Sequence, residues 1–148
     1  MLKLQAELVP QSSWWNNMRK VLPARHWDKI RKDVYAKYDY KCAICGAEGR
    51  LNCHEIWEYN DKTYVQTLKG FVALCDLCHH VKHIGLASIL AQEGRLDFQR
   101  VVAHFCRVNE CDEAMFKCHL ESAMHQWEQR SAHEWTVDWG EYADLIPG

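Results

Sequence analysis

The chain has 148 residues, nearly half of them apolar and seven of them tryptophan, with a formal net charge of −2. That is a one-domain length with enough apolar material for a core, which excludes a disordered chain. It holds no apolar run near the roughly 20 residues needed to span a bilayer, and its opening residues do not form a secretory signal. The expectation is a cytoplasmic protein with no membrane partner.

In chain order, residues 1–39 form an aromatic and basic lead-in. Trp14-Trp15-Asn16-Asn17 precedes Pro23, which suits a first helical turn. Trp27, Ile30, Val34 and Tyr38 then recur at helical spacing, which predicts a helix from about Pro23 to Tyr38. Residues 40–85 carry the cysteine pairs. Leu51 to Tyr59 reads as a strand, Asn60-Asp61-Lys62 as a turn and Thr63 to Leu68 as a returning strand. Phe71-Val72-Ala73-Leu74 is a short apolar run into the second pair, and Asp76 to His83 reads as a helix stopped by Gly85. Residues 86–148 are a helical extension. Phe98, Val101, Val102 and Phe105 line one helix, and Phe116, Leu120, Ala123 and Trp127 a second. Trp135 to Trp139 reads as a last short strand. No repeat or linker separates these parts, so one α+β domain is expected.

Charge is uneven along the chain. From Asn17 to Arg50 there are nine Lys/Arg against four Asp/Glu, and from Asn109 onward two against nine. A basic first third can face nucleic acid, and acidic C-terminal helices can face away or meet a protein partner. Two solvated helix surfaces account for the same pattern.

Eight cysteines in a reducing compartment point to metal rather than disulfides. Cys42-x2-Cys45 and Cys75-x2-Cys78 are two such turns, with 29 residues between them. Four thiolates fill a zinc tetrahedron, so this zinc is structural. The remaining thiols, Cys53, Cys106, Cys111 and Cys118, have irregular spacing and read as core residues, and His119 beside them as no ligand.

The histidines beside the knot carry more information. His79 and His83 stand at i and i+4, on one face of a helix. His54 lies on the first strand of the hairpin. Hairpin and helix both grow from the knot, which would bring His54, His79 and His83 together as a metal site with open positions. An open site is what metal-assisted hydrolysis requires. His26, His80, His104, His125 and His133 receive no role.

Three stretches together, Cys42-Ala43-Ile44-Cys45, Leu51-Asn52-Cys53-His54-Glu55-Ile56 and Leu74-Cys75-Asp76-Leu77-Cys78-His79 with His83, resemble the HNH endonucleases. The resemblance covers residues 40–85, under a third of the chain. It implies a ββα-metal finger on a four-cysteine zinc knot, flanked by an N-terminal helix and C-terminal helices. It implies DNA cleavage with a catalytic divalent metal (Mg2+, Mn2+, Ni2+ or Zn2+) on His54, His79 and His83. The usual base histidine is replaced by Glu55, and the usual asparagine five residues before the third cysteine by Gly70. An alternative alignment makes His54 the base and Cys53 the metal ligand. Glu55 is then either the proton acceptor, a partner orienting a metal-bound histidine, or the mark of a finger that binds without cleaving. Phosphate contacts would come from Arg25, Lys29, Arg31 and Lys32, with Arg19, Lys20, Arg50 and Lys82 added. Trp14, Trp15 and Trp57 are read as core residues rather than base-stacking platforms.

Overall fold

The computed structural model describes residues 2–14 and 16–147; Trp15 lies outside them. The described chain is α+β, with a three-stranded sheet in the order β1-β2-β3. Among the described residues no helix is long and apolar enough to cross a membrane.

A long hairpin forms the centre. β1 (Leu51–Asn60) and β2 (Val65–Cys75) pair antiparallel. Asn60 shapes the connecting turn, its side-chain oxygen accepting the amides of Lys62 at 3.0 Å and Thr63 at 3.1 Å. β2 is longer than expected: the returning strand and the apolar run 71–74 are one element. They are joined through a bulge, since Ile56 pairs with Gly70 but Trp57 with Leu68. Lys69 is the extra residue, and Gly70 takes φ +156°, a conformation that suits glycine. One inserted residue reverses side-chain parity. This is why Phe71 and Leu68, three apart, enter the same core.

α3 (Asp76–Lys82) starts where β2 ends, with Cys75 Sγ accepting the Cys78 amide at 3.4 Å as N-cap. The expected stop at Gly85 does not occur. The chain breaks for one residue at His83 and resumes as α4 (Ile84–Gln92). Seven strong or moderate helix formers around one glycine outweigh its cost of about 1 kcal/mol. A Cβ at Gly85 would make only ordinary contacts, 3.5 Å from Leu8 Cδ2 and 3.8 Å from Trp14, so the position does not require glycine.

Upstream lie α1 (Met18–Val21) and α2 (Ala24–Lys37), the latter with Pro23 as N-cap. Downstream, Asp97 caps α5 (Phe98–Asn109) and Asp112 caps α6 (Glu113–Ser131) through their carboxylates. β3 (Thr136–Asp138) pairs parallel to β2. Two apolar clusters result. Val72, Leu74, Val81, Ile84, Phe105 and Phe116 pack between the sheet and α3–α6. Met18, Leu22, Leu68 and Phe71 pack under α1 and α2 with Trp27 and Trp57.

The lead-in is not a loose arm. Residues 2–13 run as a strap across α5 and α6. Asn109 Oδ1 accepts the amides of Lys3 (2.7 Å) and Leu4 (3.0 Å), and His119 Nε2 accepts that of Ala6 at 2.9 Å. Trp127 Nε1 donates to the Val9 carbonyl at 2.9 Å. Leu4 is fully buried in the first cluster. Leu4→Ala is therefore expected to lower stability by about 2–5 kcal/mol. Denaturant unfolding should show a lower midpoint at unchanged slope, and a shift under about 0.5 kcal/mol would mean that the strap is not docked.

Candidate metal centre and cleft

The first cysteine pair sits in a turn after α2, closed by Cys42 N–H to the Ala47 carbonyl at 2.9 Å. Ala43 N–H donates to the Ala73 carbonyl of β2 at 2.9 Å, which docks this turn on the hairpin. The second pair straddles the β2–α3 junction. All four sulfurs lie within 4.8 Å of one another, with Cys45 and Cys75 at 3.6 Å. A tetrahedron with Zn–S bonds of about 2.3 Å has edges of roughly 3.8 Å, so the donor set fits zinc. Without a cation the thiols of the knot are pushed apart in acidity. A hydrogen bond from Cys78, against burial and with backbone amides adding, pulls Cys42 down to about 4. Burial, and then the hydrogen bond with Cys45 and the charge on Cys42, pushes Cys75 up to about 11 against the Cys78 amide. Cys78 is raised further by its hydrogen bond to Cys42 and by burial.

His104, given no role from sequence, touches the knot. It is buried on α5, with Nε2 3.1 Å from Cys78 Sγ and Nδ1 2.9 Å from an Arg107 nitrogen. A guanidinium only donates. Nδ1 therefore accepts, Nε2 carries the proton, and Nε2–H donates to Cys78 as to a metal thiolate.

On the opposite side of α3, His54, His79 and His83 place one ligand nitrogen each within 4.8 Å of the others. Their ring centroids are 4.6 to 5.5 Å apart. His54 is buried; His79 and His83 are half-buried. Burial, then the neighbouring histidines, lowers His79 to about 3; burial, then His54, lowers His83 to about 4. Both rings are thus neutral at pH 7, the form that ligates a cation. Three imidazoles with open positions are a donor set for Zn2+, Ni2+ or Cu2+. Cys53 is not in this group. Its thiol lies toward α2 and is pushed up to about 12 by burial and then by Glu55.

One residue at this site escaped the sequence. Glu7, on the strap, sets Oε2 3.4 Å from His54 Nε2 and Oε1 2.9 Å from Lys82 Nζ. Burial pushes its pKa up, but the hydrogen bond to His54 and the charge of Lys82 outweigh this and bring it down to about 2. No spacing rule links position 7 to position 54. Lys82 accordingly turns inward rather than joining a basic surface, its side chain 14% exposed.

A cleft of about 1070 Å3 runs beside β1, an edge strand of the sheet. His54, His79, His83 and Glu7 line it. So does Glu55, from the other face of the strand. Its Oε1 accepts the Met18 amide at 3.3 Å. Burial drives Glu55 up to about 7 against that amide. Arg19, Arg31 and Arg50 stand on the cleft walls with Trp14, Trp27 and Trp57. Arg31 also pairs with Asp28 at 2.9 Å. Arg25, Lys29 and Lys32 are exposed on α2 away from the cleft lining, with Lys29 held by Asp33 at 3.0 Å. Trp57 packs on Trp139, whereas Trp14 is exposed. Cys106 and Cys111 pack at the first core, while Cys118 is exposed and not a core thiol. Among the described residues they form no metal cluster.

No protein-family model, curated protein or solved structure matches this chain.

His104→Ala and Arg107→Ala are expected to weaken zinc retention at the cysteine knot, His104→Ala by about 10-fold or more. A chelator competition followed by colour change reads this directly. Equal release rates in wild type and His104→Ala would remove the imidazole from the knot's support.

Proposed function

We propose that the chain is a metal-dependent endonuclease of HNH type that hydrolyses phosphodiester bonds in DNA, with β1, β2 and α3 as its ββα-metal finger. One observation carries the reading: the three histidine nitrogens gathered within 4.8 Å line the same cleft as Arg19, Arg31 and Arg50. A cation-ready site beside three guanidiniums, of which Arg31 pairs with Asp28 and Arg50 with Asp76, matches a phosphodiester at a metal.

A divalent ion bound there supplies polarisation of a phosphoryl oxygen and stabilises the leaving alkoxide. Three nitrogen donors suit Zn2+ and Ni2+ better than Mg2+, which takes oxygen ligands. Arg31 and Arg50 hold the flanking phosphates. Water attacks phosphorus and the P–O bond to the leaving sugar breaks. Glu55 takes the water's proton at Oε2, since Oε1 is engaged by the Met18 amide. Such proton transfer contributes a factor of about 10² to 10⁴.

A second reading is favoured by that same engagement. Glu55 springs from the opposite face of β1 to His54 and already serves α1 as a hydrogen-bond acceptor. Under this reading the finger binds nucleic acid, or a protein through the acidic C-terminal helices, without cleaving.

Wild type should nick supercoiled plasmid with Zn2+, Ni2+ or Mn2+. Glu55→Gln should slow it by about 10² to 10⁴, and His79→Ala should abolish the metal-dependent cleavage. Plasmid left intact with every metal, together with retardation of the same DNA at low salt, would establish the non-cleaving reading instead.

A further inference from the structure

We infer that Glu7 is a positioning residue: through Lys82 and His54 it dictates which ring nitrogen of His54 faces the metal. The inference rests on reading His54, His79 and His83 as a metal site.

Glu7 comes from the strap, outside the hairpin and helix that carry the histidines. Its own amide donates to the Lys82 carbonyl at 3.0 Å, which pins the strap to the last turn of α3. Its two oxygens then serve two partners. Oε1 accepts from the Lys82 ammonium at 2.9 Å, and Oε2 lies 3.4 Å from His54 Nε2.

Donor accounting fixes the rest. A lysine ammonium only donates and a carboxylate only accepts. His54 Nε2 must therefore bear the proton that bonds to Oε2. A neutral imidazole has one N–H, so Nδ1 keeps its lone pair for the cation shared with His79 and His83. A metal-bound histidine that passes its other N–H to a carboxylate is a general way to orient the ring and raise its basicity. Lys82 keeps the carboxylate from rotating toward the cation as a ligand. Consistent with this, Glu7 is not in the group whose ligand atoms all lie within 4.8 Å. A plain Glu7–Lys82 ion pair would affect stability but not metal affinity or the tautomer.

Co2+ is the probe, added to protein already holding zinc in the cysteine knot, with visible absorption and titration calorimetry as readouts. Glu7→Ala is expected to bind Co2+ about 10- to 100-fold more weakly. Glu7→Gln, which keeps a carbonyl acceptor, should recover part of that loss. Long-range nitrogen–proton spectra of wild type should show His54 as the Nε2–H tautomer, a readout that needs no variant to fold. Unchanged Co2+ affinity in Glu7→Ala while His79→Ala loses it, or an Nδ1–H tautomer of His54, overturns the role of Glu7. If His79→Ala binds Co2+ as wild type does, the histidine metal site itself fails, and Glu7's role with it.

Discussion

Four sulfurs drawn together around one cation position are the constraint on which this fold depends. They join the turn after α2 to the β2–α3 junction, two places separated by the whole hairpin. Negative charge accumulated on buried thiols is unfavourable until a dication neutralises it. Once joined, the junction fixes where α3 leaves the sheet, and that direction sets His79 and His83 against His54. His104 and Arg107 extend the same electrostatic logic outward, because a donated N–H lowers the charge that Cys78 must carry.

Two faces of a single hairpin divide the labour. The α3 side buries aliphatic residues and holds the three imidazoles. The α2 side packs the half-buried Cys53 and Trp57 and receives the Glu55 carboxylate. A cleft beside the edge strand β1 is reached from both faces, so neighbouring residues of opposite parity line one space. This explains how His54 and Glu55 can share a cleft without touching.

Local pattern made much of this legible from sequence. Apolar spacing located α2, α5 and α6, and two C-x2-C turns located the knot. Residues four apart on a helix paired His79 with His83. The misses have physical causes. The break in apolar alternation at Gly70 is a bulge within one strand, and Gly85 sits inside a helix because the helix formers around it outweigh its cost. His104 and Glu7 are brought in by tertiary packing alone, from segments with no motif. Lys82 looked like a surface cation because its partner lies 75 residues away. Membership of a helix could be read locally; the direction of a long side chain could not.

The strap has a consequence for the order in which the molecule assembles. Its partners Asn109, His119, Trp127 and Ser131 all lie more than 100 residues along the chain. During synthesis Glu7 emerges before every group it meets, and most of the surface that receives the strap follows only with α5 and α6. Contacts of such long range are entropically late. The hairpin pairs neighbours in sequence, whereas the histidine centre draws its carboxylate from a segment 47 residues before His54 and 75 before Lys82.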